Sequence, residues 1–315
     1  MFGSSMASGA RHFLRLGRSP AALVAASSTL RPRALLPLAL RLRAFADILL
    51  LDGTRLPCET LGRTQDLALI WGHGLGPSAP RAMTRRTCES FAMIGAAVGG
   101  CEPAEDPIEG AETSFGAVLY DTRGHGASAG WERHRDCIEQ FHWRSLAVDM
   151  LAVASDHQRS LGAERERQPG ALIGGYSMGA STALWAAYLC PTAVRGLVLL
   201  CVTTGWEIRA GRRGNLLASA KALEEASDPD SASVVRGAAF ADLPTEEQLK
   251  AANLKMPILL MCARDDGTHP AAVVERLAAV LPSGQAVITD TSEELRSRFP
   301  GELRGWMRTH FGIAA

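Results

Sequence analysis

The 315-residue sequence is short of several things, and each shortage closes off a class of protein. No apolar run approaches the ~20 residues of a membrane-spanning helix, so no span is expected. None of the seven cysteines stands in a C-x-x-C or Cys/His metal spacing, and reduced, structural thiols are the expectation. A phosphate loop of the G-x-x-x-x-G-K type is missing too, which leaves nucleotide phosphates without a cradle. There is no internal repeat. The start of the chain, residues 1–46, has no Asp or Glu at all.

That acid-free start holds seven arginines and six serines, while the remainder carries 26 basic and 33 acidic residues. The formal charge of zero therefore hides a cationic leader and an acidic body. An Arg-rich, Ser-rich, acid-free leader reads as an organellar transit peptide, mitochondrial before plastid; the plainer reading is a disordered basic tail. A secretory signal fits worse, because Arg15, Arg18, Arg31, Arg33, Arg41 and Arg43 interrupt every apolar run. Without the leader a cytoplasmic location is the default. Residues 47–315, in a chain 47% hydrophobic, suffice for one large core, and the acidic body gives no ground for a nucleic-acid partner.

Gly175-Tyr176-Ser177-Met178-Gly179 is the most informative stretch. The apolar residues 171–174 read as a buried strand and Ala180 to Leu189 as a helix stopped by Pro191, so Ser177 falls on a strand-to-helix turn. Such a turn strains the backbone and crowds the positions two residues to either side. Glycine at 175 and 179 meets that need.

Three further segments, two before the serine turn and one after it, stand in a fixed order. A strand from Asp66 to Trp71 ends in Gly72-His73-Gly74-Leu75-Gly76. A strand at 117–120 runs into Asp121-Thr122-Arg123-Gly124-His125-Gly126-Ala127-Ser128. An apolar strand from Met256 to Ala263 closes with Arg264-Asp265-Asp266-Gly267-Thr268-His269-Pro270. Together with the serine turn, these resemble the α/β-hydrolase family over about residues 48–311. The resemblance implies a mostly parallel central sheet with helices on both faces, a small helical cap, an acyl substrate and no cofactor. It also implies a nucleophile at Ser177, oxyanion donors at the backbone N–H groups of Leu75 and Met178, and a triad acid at Asp266, with Asp265 as the alternative. His73 and His125 take loop-bracing positions.

The remaining elements read as an opening hairpin near Ile48 to Arg55, helices at Met83 to Ala97 and Phe141 to Leu161, and a strand at Val194 to Val202. Residues 203–254 read as the cap, with helical pieces Asn215 to Ala226 and Ser233 to Phe240 broken at Pro229 and Pro244. A crossover helix at Ala271 to Leu281, a last strand at Gln285 to Thr289 and a closing helix at Pro300 to Phe311 complete the chain.

The general base is the gap. In the family an imidazole follows the last strand, but here that place holds Asp290-Thr291-Ser292-Glu293-Glu294, and no histidine lies between His269 and His310. His269 must fold back to reach Ser177, since it lies only three residues beyond Asp266. His310 belongs to the far end of the closing helix. Glu293 is the carboxylate candidate, although an ordinary glutamate is about two pKa units weaker than imidazole, and Thr291-Ser292-Glu293-Glu294 also reads as a helix opening. Two functions stay open: a serine hydrolase whose base comes from an unexpected position, and a hydrolase-like protein that binds a ligand or partner without catalysis.

Overall fold

Short runs of Val, Leu, Ile and Ala, apolar on both sides, favour parallel strands covered by helices on two faces. The computed structural model describes residues 47–62, 64, 67–99, 115–161 and 170–313. The leader, the expected loop through Gly100, Pro103 and Pro107, Cys101 and Asp66 all lie outside the described residues. A hairpin of β1 (Ile48–Leu49) and β2 (Arg55–Leu56) precedes a seven-stranded sheet ordered β3-β5-β4-β6-β7-β8-β9. Its strands are β3 (Cys58–Gly62), β4 (Ala68–Gly72), β5 (Gly116–Tyr120), β6 (Ala171–Tyr176), β7 (Val194–Leu200), β8 (Ile258–Ala263) and β9 (Gly284–Thr289). Only the edge strand β3 runs antiparallel to its neighbour.

Alternation along the strands divides the core in two. Ile70, Val118, Ile173, Leu197 and Ile258 face α2 (Trp143–Ser160), α3 (Met178–Leu189) and α7 (Ala271–Val280). Leu69, Trp71, Leu119, Leu172, Val198 and Leu259 face α1 (Ser90–Val98) and α8 (Ser292–Phe311). The cap helices α4 (Trp206–Glu225), α5 (Pro229–Phe240) and α6 (Glu246–Ala252) lie between β7 and β8 in the chain. Cap helix α5 sets Val234 against Phe141 and Trp131, and Ala238 with Trp143 and Met178. Buried Arg209 on α4 donates to the carbonyls of Ala238 and Ala241, and burial draws its pKa down to about 10.

Several boundaries depart from the sequence expectation for local reasons. The helix expected from Met83 begins at Ser90, because Thr84 and Thr87 bond to one another's backbone and side chains, while Arg85 and Arg86 are drawn to Glu59. Helix α4 begins at Trp206 and not at Asn215; it takes in Gly211 and Gly214, where an added Cβ would meet open space. Pro229 opens α5 at its first turn, where the missing N–H costs nothing, and Asp228 caps it through Ser231 N. Helix α6 was not expected, yet Thr245 and Gln248 form a capping box. The closing helix starts at Ser292, eight residues before the expected Pro300, which lies inside it. Consequently only Asp290 and Thr291 separate β9 from α8.

Candidate active site

Ser177 follows β6 with φ 56° and ψ −113°, a conformation that points the turn sharply into α3. A Cβ on Gly175 would stand 2.3 Å from the carbonyl carbon of Gly179, and one on Gly179 would stand 2.1 Å from the oxygen of Gly72. Both flanking positions therefore admit glycine alone. The N–H of Gly179 donates to His73 O at 3.0 Å, which clamps the following loop to the serine turn.

That loop carries Leu75. Gly74 passes close enough that a Cβ there would lie 3.7 Å from the Cβ of Ser177. No hydrogen bond to the N–H of Leu75 or Met178 is found among the described residues, so both donors are available. The two histidines expected to brace loops are buried and packed edge to face, with ring centroids 5.0 Å apart. His73 Nδ1 donates to Gly74 O at 2.7 Å, and its Nε2 accepts from Thr122 N at 3.0 Å. His125 presents its ring nitrogens to Arg123 O at 3.0 Å and Leu75 O at 2.8 Å. Burial lowers its pKa to about 3, so the ring is neutral, has one N–H and donates to one carbonyl at a time.

The turn from Asp121 is an anchor for this frame. Asp121 accepts from Arg85 Nη1 at 2.8 Å, and a Cβ on Gly126 would meet its carboxylate at 2.5 Å. Arg123 forks onto Asp149 at 2.9 and 3.0 Å and also donates to Asp52 and Thr54. Gly124, at φ 81°, passes under the cap, where a Cβ would collide with Val234 at 2.4 Å.

Of the candidate side chains for a base, the structure brings His269 to Ser177. His269 Nε2 lies 2.8 Å from Ser177 Oγ, and His269 Nδ1 lies 2.7 Å from Asp266 Oδ2. His269 is 6% exposed, so its ring is largely withdrawn from water. Its return toward Ser177 comes from an Asx-type turn: Asp266 Oδ1 accepts from Thr268 N at 2.8 Å and from His269 N at 3.1 Å. These bonds curl residues 266–269 until the side chains at both ends meet. The hydrogen bond from His269, joined by the two backbone donors, holds the Asp266 carboxyl at a pKa of about 2. Cap helix α4 adds a tie, since Arg212 donates to the carbonyl of Gly267 inside this turn.

Asp265 turns the other way and accepts from Ser292 N at 2.8 Å and Ser292 Oγ at 2.7 Å, serving the start of α8. It does not contact His269. Glu293 is exposed in the first turn of α8, so the expectation that it reaches Ser177 is corrected: the loop before it is too short. His310 stands near the far end of α8, stacked beside Trp306 at 5.5 Å. Sequence reasoning missed Cys201 and Arg212 as neighbours of the Asp266 turn, and no local pattern signals either.

Comparison with solved structures settles the architecture. A hydrolase from Pseudomonas aeruginosa PA01 is 19% identical, with 85% of this chain and 98% of that one covered at a TM-score of 0.57. A thermophilic esterase from Thermogutta terrifontis is also 19% identical, covering 84% and 98% at 0.58. An α/β hydrolase from a Medee basin deep-sea metagenome is 14% identical, covering 86% and 98% at 0.59. The chain has the α/β-hydrolase fold. No family model matches it, and no curated protein does. Within that α/β-hydrolase fold, β4, β6 and β8 deliver the His73–Gly76 loop, Ser177 and the Asp266–His269 turn from their C-terminal ends. Among the described residues no helix is long and apolar enough to cross a membrane, and the six described cysteines are unbridged.

Proposed function

We propose that this chain is a serine hydrolase for an ester, thioester or related acyl substrate. The observation that carries the reading is the unbroken chain of hydrogen bonds from Ser177 through His269 to Asp266, 2.8 and 2.7 Å long. Ser177 Oγ attacks the acyl carbonyl as His269 Nε2 takes its proton, while Asp266 holds Nδ1–H and balances the imidazolium. The carbonyl oxygen, now negative, accepts from the N–H groups of Leu75 and Met178. The imidazolium then gives its proton to the departing alcohol or thiol. Water, deprotonated by the same nitrogen, releases the acid and restores the serine. No step needs a metal or cofactor.

Structural neighbours described as hydrolases and esterases support this class of reaction without naming a substrate. The alternative, ligand binding without catalysis, drew its force from the missing imidazole after β9. His269 removes that argument, because it reaches the serine from another loop. A fluorophosphonate probe tests the reading. Wild-type protein should be labelled, and Ser177→Ala should not; absence of labelling at every pH from about 5 to 9 would favour the binding protein. From its composition we further infer that the leader directs the chain to the mitochondrion. A fluorescent reporter fused behind residues 1–46 should enter that organelle, and a diffuse reporter would overturn the inference.

A further inference from the structure

Beside the Ser177–His269 bond lies a cleft of about 410 Å³, lined by His269, Asp266, Cys201, Tyr176, Glu89 and Arg296 among others. Tyr176 and His269 line it, and Ser177 is not among its lining residues. Cys201 follows β7 with φ 50°, a left-handed conformation that only a few per cent of non-glycine residues adopt. Its Sγ, a ring nitrogen of His269 and a carboxylate oxygen of Asp266 lie within 4.8 Å of one another. A buried thiol is ordinarily a small packing group. Here it shares an open cleft with an imidazole and a carboxylate, which together make a mixed soft and hard donor set.

We propose that Cys201, Asp266 and His269 form an inhibitory site for a thiophilic divalent cation of the Zn²⁺ class, and that occupancy removes the base from Ser177. The inhibitory consequence rests on the proposed serine mechanism; the binding itself does not. Sulfur, nitrogen and oxygen around zinc stand at about 2.3, 2.0 and 2.1 Å from the metal, which separates neighbouring donors by roughly 3.3 to 3.6 Å. In the Nδ1 mode the Asp266 carboxylate must therefore swing off the Nδ1 axis, giving up its 2.7 Å hydrogen bond to the ring, and the thiol must draw inward. Water from the cleft completes a four-coordinate site.

Inhibition follows from the imidazole's tautomers. A neutral ring that gives its Nδ1 lone pair to a metal carries its proton on Nε2. Nε2 then donates to Ser177 Oγ and cannot accept from it. Coordination through Nε2 would block the base directly, so either mode of binding silences the serine. In the Nδ1 mode the proton formerly on Nδ1 appears on Nε2. In both modes the thiol proton passes to water, and no oxidant or reductant takes part.

The test has two readouts. Titration of the reduced protein with Cd²⁺ should produce a thiolate-to-metal charge-transfer band, with one equivalent per chain absent from Cys201→Ser and from Cys201→Gly. The glycine variant suits the left-handed backbone, so at least one of the two should fold. Separately, Zn²⁺ should suppress fluorophosphonate labelling of Ser177, a chelator should restore it, and each variant should need at least about tenfold more Zn²⁺ for half-suppression. Equal Cd²⁺ bands in wild type and variants would overturn the site. Equal Zn²⁺ sensitivity would overturn its inhibitory role. A Cys201-dependent band in a protein that never labels would uphold the metal site and reject the hydrolase reading.

Discussion

Two neighbouring loops at the C-terminal edge of the sheet differ in a way the fold alone does not dictate. The loop after β8 carries both Asp266 and His269 within one tight turn. The loop after β9, where the resemblance leads one to look for the base, is reduced to Asp290 and Thr291. The comparison teaches that a proton acceptor need only reach the nucleophile at about 2.8 Å with its other nitrogen held; which loop delivers it is secondary. In the proposed mechanism one Asx turn would supply acid and base together, while the neighbouring loop serves as a helix start.

The strongest way to break the comparison is to remove each loop's candidate base. His269→Ala should lower turnover on the order of 10⁶-fold, as loss of a triad histidine does, with folding intact by circular dichroism. Glu293→Gln should leave turnover within about twofold, because that carboxylate is exposed on α8. The reverse pattern would return the base to the β9–α8 loop. The adjacent aspartates sharpen the same point. Asp266→Asn should cost on the order of 10⁴-fold in kcat through loss of tautomer control, whereas Asp265→Asn should spare kcat and weaken only the attachment of Ser292.

Acid stability gives a smaller effect with a definite sign. The Asp266 pKa is lowered from 3.8 to about 2, so its contribution to stability is fully present above about pH 4 and is lost as the pH falls through 2. Urea unfolding at pH 5, 4, 3 and 2.5 should show the advantage of wild type over Asp266→Asn shrinking at the acid end. An advantage that grew toward acid would mean that the carboxylate is not the hydrogen-bonded anion of the turn.

The parts of this site that were legible in sequence are those fixed by local sterics. Gly175 and Gly179 announce a turn that excludes side chains, and Gly74, Gly124 and Gly126 mark the other close approaches. The strands were legible because their apolar runs are buried on two faces. His269 was harder to read because its position depends on hydrogen bonds from Thr268 N and His269 N to Asp266, not on periodicity. A signal did exist: an aspartate with a histidine three residues later and proline next is compatible with an Asx turn that brings the two side chains together. For Arg212 there was none, since its partner is a backbone carbonyl 55 residues away.

The last distinction concerns Thr291, which belongs to the loop without the base. Its side chain accepts from Glu294 N at 3.1 Å and so caps α8, the helix whose Leu295, Phe299 and Leu303 fill the core beneath the sheet. Thr291→Ala should cost about 1 kcal/mol of stability, the usual worth of such a cap. If α8 is only a structural wall, kcat should not change while the unfolding midpoint falls. If kcat falls well beyond the fraction unfolded, the β9–α8 loop still takes part in catalysis, and the division of labour between the two loops fails. The same variant measured beside Thr268→Ala separates the loops further: Thr268 contributes its backbone N–H to Asp266, which alanine retains, so that substitution should disturb neither stability nor turnover appreciably.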